Sequence, residues 1–382
     1  MTPSETIDAR PGPVRHAETA PGRVLLTLDG VGGVGRYAID LARSLGARGI
    51  ATLLVGFGPR PAPELAAEIL DLADAELVWA GEDLEWTAPD EPTFAAQAAA
   101  IHACIRAWKP ELIHLNSPAF AADLSARVPT VAMMHSCTAT WWQAVKGTPL
   151  PERLAWQRER IRRGLARVER VIVPSASYRD LVLRTYGPID TVRVVANGTA
   201  RPATVNAQDP FVLAAGRWWD EGKNGAVLDA AAETCTWPVF MAGPLGSPTG
   251  ETLTLAHAHA MEALPPDAMA EIMRRAAIFV SPSRFEPFGL AVLEAAMCGS
   301  ALVLSDIPTF REIWDGAALF ADADDPAAFA AAIDRLAADA GLRRRLAGRA
   351  TAIARRFGVA RQADATLAVY AEAIAAHRRE VH

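Results

Sequence analysis

No stretch of this 382-residue chain approaches the roughly twenty consecutive apolar residues that a bilayer-spanning helix requires. The opening residues 1–22, MTPSETIDARPGPVRHAETAPG, are polar and proline-bearing and lack an apolar h-region. They read as neither signal peptide nor anchor, so the expectation is a disordered tail on a cytoplasmic protein. Cysteine is scarce: Cys104, Cys137, Cys235 and Cys298 lie far apart with no C-x-x-C pair. This argues against a disulfide framework or cysteine zinc site and suits small core residues in a reducing compartment. His257 and His259 stand two apart with no carboxylate or cysteine at a ligand spacing, so no metal is expected. Positive charge is not in excess either. A net charge of −6 gives no footing for general nucleic-acid binding.

What the chain does have is length for two cores and 51% hydrophobic residues, parcelled into short runs. RVLLTLDG, ATLLVGFG, ELIHLN, TVAMMHS, VERVIVPS and TVRVVANG each end in turn or polar residues, as strands of a parallel sheet buried on both faces do. Alanine-rich amphipathic stretches such as GRYAIDLARSLGARG separate them. A second series, FVLAAGRWW, WPVFMAGP, AAIFVSPS, SALVLSD and GAALFADA, follows from Phe211. The pattern predicts an α/β chain of two doubly wound domains, residues 23–200 and 201–359, with the boundary in the aperiodic stretch 200–210. A last helix over about 360–382 carries Leu367, Tyr370 and Ile374 on one face, which must be buried somewhere.

The densest chemistry lies in SPSRFEPFGLAVLEAAMCG, residues 281–299. A strand ending at Val280 leads into a loop bearing Glu286, and a helix opening after Gly289 bears Glu294. Two carboxylates and a helix N-terminus then share a small volume. Carboxylates accept hydrogen bonds from hydroxyls, and the free N–H groups of a helix start favour anions, which suits a ligand with both hydroxyls and phosphate. The segment resembles the E-x7-E signature of retaining glycosyltransferases with the GT-B fold, most closely glycosyltransferase family four. That resemblance implies two Rossmann-like domains facing a central cleft, with the last helix crossing back onto the first. It implies a nucleotide-sugar as donor and co-substrate, with no cofactor, no metal and retention of configuration. Glu286 would meet the donor sugar, Glu294 the ribose, and the backbone amides of Phe288, Gly289 and Leu290 the phosphates. AAGRWWDEGKN, residues 214–224, resembles the family segment that brings cations to the diphosphate, which assigns Arg217 and Lys223. Two fixed cations would stabilise the departing diphosphate more in the transition state than in the ground state.

On the first domain, Gly30, Gly32 and Gly35 satisfy G-x-G-x-x-G after a strand. A dinucleotide site needs an acid at the end of the second strand, and Gly56, Phe57 and Gly58 stand there instead. The resemblance instead assigns Gly32 and Gly33 to a glycine loop beside the donor phosphates or the acceptor. His135, at the carboxyl end of its strand, matches the family's histidine near the reacting carbon; the alternative is a structural role. Trp141, Trp142 and Lys146 are candidates for an acceptor platform, since indole faces stack on sugar rings, with burial in the core as the alternative. No first-domain carboxylate is marked as a general base. The arginine-rich segment PERLAWQRERIRRGLARVER is interrupted by Glu152, Glu159 and Glu169 and reads as a solvated helix rather than a membrane-contact face, with Leu154, Ile161, Leu165 and Val168 as its buried side. The acceptor, a sugar, a lipid-linked sugar or a small molecule, is left open. So are an epimerase of the same fold and a non-catalytic nucleotide-sugar binder.

Overall fold

The computed structural model describes residues 20–381 apart from 31, 62, 126, 201–207, 248 and 249. Most of the expected tail and most of the 200–210 boundary therefore lie outside the described residues. Seven strands form the first sheet: β1 (Arg23–Asp29), β2 (Ala51–Phe57), β3 (Ala75–Trp79), β4 (Leu112–Leu115), β5 (Thr130–Met133), β6 (Arg170–Val173) and β7 (Val192–Val194). Their order is β3-β2-β1-β4-β5-β6-β7 and every pairing is parallel. Six form the second: β8 (Asp209–Ala215), β9 (Val239–Ala242), β10 (His259–Met261), β11 (Ala276–Ser281), β12 (Ala301–Ser305) and β13 (Ala318–Ala321), ordered β10-β9-β8-β11-β12-β13 and again parallel. These are two doubly wound Rossmann-like domains, the GT-B arrangement.

The central strands are apolar throughout because helices cover both faces; Val24, Leu25 and Leu26 are all fully buried. Each sheet switches direction beside its first strand, between β1 and β4 and between β8 and β11. Such switch points open a crevice at the carboxyl ends of the strands. β3 and β10 are additions to the strands legible in the sequence. Both are short edge strands with part of their side chains in solvent, and β3 alternates in burial. Neither shows the continuous apolar run that marks an inner strand. Trp79 on β3 lies over Gly56, where any Cβ would sit 2.1 Å from the indole.

The chain's last helix, Val359–Val381, lies on the first domain. Val369, Tyr370 and Ala373 join the core beneath β1, β4 and β5, and Leu367 and Ile374 pack at its margin. The Tyr370 hydroxyl pairs with Nδ1 of buried His114 at 2.7 Å, and Arg170 and Arg193 both reach Glu372 at 2.9 Å. Where the chain passes between domains, Gly198 donates to Gln362 Oε1 at 2.5 Å. A Cβ at Gly198 would meet the Gly358 backbone at 2.6 Å, so the outgoing and returning strands need glycine to lie side by side.

The arginine-rich helix, Ala155–Leu165, differs from its sequence-based expectation. Ile161, Leu165 and Val168 are buried as expected, but so is Arg160, at 1% exposure. Its guanidinium pairs with Asp123 and Glu91 and lies over the Phe94 ring. The helix is a structural wall with a buried cation, which a count of surface charges does not reveal.

Candidate functional site in the interdomain cleft

On the second domain, two loops at the ends of β8 and β11 are stitched together. Trp218 is buried and its Nε1 donates to the Ala242 carbonyl at 2.9 Å, which pins the first loop and leaves Arg217 and Trp219 facing the cleft. Asn224 adopts a positive φ of 58° and donates to the Pro282 and Ala323 carbonyls at 2.9 and 2.7 Å. Arg284 N–H closes the join on the Gly222 carbonyl at 2.9 Å. This brings Lys223 Nζ to 2.5 Å from Glu286 Oε2, with both side chains largely buried. Gly289, at a φ of 93°, turns the chain into the helix Leu290–Met297, on which Glu294 sits at the second turn, half-buried. Phe288 is buried against Phe357, so only its backbone can meet a ligand.

The first domain's glycine loop comes to meet this wall. A Cβ on Gly32, itself at a φ of 73°, would lie 2.4 Å from Arg217 Nη1, and one on Gly33 would lie 3.5 Å from Leu290 Cδ1. Glycine here lets the backbone close on the cation and on the helix start. Arg217 is held more loosely than Lys223: Nη2 lies 3.6 Å from Asp220 Oδ2, the guanidinium lies 5.7 Å from the Trp219 ring centre, and Nε is buried without a partner.

His135 lines the cleft at the end of β5. Asn116 is fixed by donating through Nδ2 to the Thr27 carbonyl and through its backbone N–H to the Thr27 hydroxyl oxygen at 2.7 Å. Its Oδ1 is thus the free acceptor, and His135 Nε2, 2.8 Å away, must carry the proton donated to it. The ring stands edge-on to Tyr37, and burial pushes it down to about 3. It is therefore a neutral imidazole near pH 7, with Nδ1 left as an acceptor.

Trp141, Trp142 and Lys146 lie on the helix Thr138–Val145 and its cap, and all three line the cleft. Two of them also bridge the domains. Trp141 Nε1 donates to Asp220 Oδ1 at 2.9 Å and Lys146 Nζ pairs with Glu221 Oε2 at 2.5 Å. Both latch the first domain to the second, while Trp142 turns its N–H to Thr148 at 3.1 Å. Chain-wide, lysine occurs only at 109, 146 and 223, so two of the three lysines stand in this cleft. That rarity was a signal available in the sequence.

Between the walls is a cavity of about 550 Å³, lined by residues of both domains. Arg217, His135, Trp141, Trp142 and Lys146 line it; Lys223, Glu286 and Glu294 do not. The sequence left one first-domain carboxylate of this cavity unremarked. Glu85, in the loop after β3, faces the cavity at 8% exposure and accepts a hydrogen bond from the Ser117 hydroxyl. Burial pushes its carboxyl up to about 7; Asp29 adds to the rise, while Ser117 and Arg160 oppose it. Sequence inspection had no motif by which to find Glu85. Its only mark is the short acidic run Glu82, Asp83 and Glu85 before Trp86.

Family comparison agrees with this architecture. The model described as Glycosyltransferase Family 4 matches residues 31–200, and the one described as Glycosyl transferases group 1 matches residues 248–352. The chain belongs to the GT-B glycosyltransferases that join these two domains. A D-inositol 3-phosphate glycosyltransferase of Streptomyces bingchenggensis is 37% identical over 115 residues, 30% of this chain and 25% of that one. The match thus spans about a quarter of that relative's length. An alpha-maltose-1-phosphate synthase of Mycolicibacterium smegmatis is 28% identical over 364 residues, 80% of this chain and 93% of that one. Among solved structures, Anabaena HepE in complex with UDP-glucose shares the fold at a TM-score of 0.71 and 16% identity, covering 91% of this chain and 98% of that one.

Proposed function

We propose that this chain transfers a glycosyl group from a nucleotide-sugar to an acceptor held in the first-domain half of the cleft, with retention and without a resident metal. The observation that carries this reading is the approach of the Gly32–Gly33 loop to Arg217 and to the start of the Leu290–Met297 helix, with the Lys223–Glu286 pair on the adjoining loops. Cations and helix N–H groups suit a diphosphate, and a carboxylate already holding a lysine suits sugar hydroxyls. Glu294 holds the ribose, Glu286 the sugar, Arg217 and Lys223 the diphosphate, and the amides of Phe288, Gly289 and Leu290 its oxygens. The bond between the anomeric carbon and the phosphate oxygen breaks as the acceptor oxygen attacks from the same face. The departing phosphate oxygen takes the acceptor's proton, and both cations neutralise the charge it gains. His135, neutral with Nδ1 as an acceptor, stands beside the donor sugar as an orienting group. The complex of HepE with UDP-glucose supports a nucleotide-sugar donor by similarity of fold.

Calorimetric titration with UDP-, GDP- and ADP-sugars, with and without a chelator, tests this reading. Binding of at least one nucleotide, undiminished by the chelator, is the expected result, and product NMR reads the anomeric configuration. Glu294→Ala should weaken the nucleotide alone by about tenfold, in the range of a lost charged hydrogen bond. Glu286→Ala should act chiefly on the intact donor. No binding by any nucleotide would sink the proposal.

A further inference from the structure

Three segments far apart in the chain bring hydrogen-bond acceptors to the first-domain wall of the cavity: Asp29 at the end of β1, Glu85 after β3, and Gln157 on the arginine-rich helix. Glu85 is almost wholly buried. Gln157, at 5% exposure, donates through Nε2 to the Glu85 carbonyl at 2.9 Å and leaves Oε1 without a partner. The described residues lining the cavity carry five carboxylates against three cations. Lys146 is engaged by Glu221 and Arg217 by Asp220, Asp29 and Glu251 have contacts of their own, and Arg153 stands at the exposed rim. A bound donor diphosphate would draw Arg217 further toward itself and add negative charge beside the cavity. The same space is bounded by the indoles of Trp86 and Trp219, which face each other across the cleft with ring centres 6.4 Å apart, and by Trp141 and Trp142.

The geometry points to an acceptor-anchoring subsite at Glu85, Asp29 and Gln157 that takes an amine-bearing polyol, an amino sugar or aminocyclitol, and rejects a phosphorylated one. This rests on the glycosyl-transfer reading above. An ammonium group offers three donors and no acceptor, which matches a wall of carboxylate and amide oxygens. The acidic field favours a cation and opposes a phosphate. Indole faces hold the ring's C–H surface and add attraction for the cation. The ammonium anchors the acceptor, and a neighbouring hydroxyl attacks the donor.

The test titrates the full chain, saturated with the nucleotide selected by the donor panel, with glucosamine, glucose and glucose 6-phosphate, followed by saturation-transfer NMR. Glucosamine should bind about tenfold more tightly than glucose, as one added charged hydrogen bond would give, and glucose 6-phosphate no more tightly than glucose. Glu85→Gln should abolish the preference for the amine, with nucleotide affinity in the same sample as the measure that the chain is folded. Equal affinity for the three sugars, preference for the phosphate, no binding of glucosamine, or a preference that survives Glu85→Gln would overturn the subsite. Loss of nucleotide binding in the unsubstituted chain would strike the donor reading instead, so the two failures are distinct.

Discussion

On the second domain, Arg217, Lys223, Glu286 and Glu294 come from two short segments, 214–224 and 281–299. On the first domain, the cleft wall draws Asp29, Glu85, Ser117, His135 and Gln157 from five. The second-domain ions are paired within or between these two loops, Arg217 with Asp220 and Lys223 with Glu286. On the first domain Glu85 and Gln157 sit deeper, and Glu85 leans on further buried charge, that of Arg160. A wall of the first kind can lose a side chain without disturbing the core. A wall of the second kind is part of the core, so its chemistry and its stability are coupled.

Arg160→Ala should break this contrast most severely if the contrast is wrong. The substitution leaves Asp123 without its cation, leaves Glu91 with Arg163 alone, and empties the space over Phe94. Both acids keep about a third of their exposure, so the expected cost is about 3 kcal/mol, the lower part of the range for breaking a buried pair. Urea unfolding measures it. Arg217→Ala should do the opposite. Its side chain is 38% exposed and should cost within about 0.5 kcal/mol of stability. Its effect should fall on kcat/KM for the intact donor, by about a hundredfold, as for removal of one preorganised charge at a departing anion. An Arg217→Ala chain as unstable as Arg160→Ala, or one of full activity, would erase the distinction between the walls.

The same difference separates what is legible in the sequence from what is not. The inner strands were legible because buried parallel strands need unbroken apolar runs, and Glu286 with Glu294 was legible because strand, turn and helix start fall within nineteen consecutive residues, 281–299. Trp218 and Trp219 are adjacent and alike in sequence, yet one ring anchors the loop in the core and the other faces the cleft. Glu85 was invisible because it acquires its character from Ser117, Asp29 and Arg160, each at least thirty residues away. Arg160 was misread for the same reason, since its partners Asp123 and Glu91 lie on other segments. Edge strands β3 and β10 escaped because half-solvated strands need little apolar sequence.

The smallest expected effect is a pH dependence in which two parts of the first domain oppose each other. Burial holds the His114 and His135 rings down at about 3, against an ordinary 6.5. Between those values the unfolded chain binds protons that the folded chain refuses, so stability is lost as pH falls through that window. His114 is fully buried and dominates; His135 is only partly so. Glu85 runs the other way. Its carboxyl stands at about 7 against an ordinary 4.5, so the folded chain holds a proton there that the unfolded chain has released. Its contribution is fully present below 4.5 and is lost as pH rises to about 7. From 4.5 to 6.5 the slopes have opposite signs and the native chain should respond weakly to pH. Glu85→Gln removes the opposing slope. At about pH 8 its melting temperature should exceed that of the native chain by about 2–4 °C, corresponding to roughly 1 kcal/mol, and the gain should vanish near pH 4.5. Thermal melts across that range measure it. A gain of the same size at every pH would mean that Glu85 carries no displaced proton, and that the acceptor wall is no more strained than the donor wall.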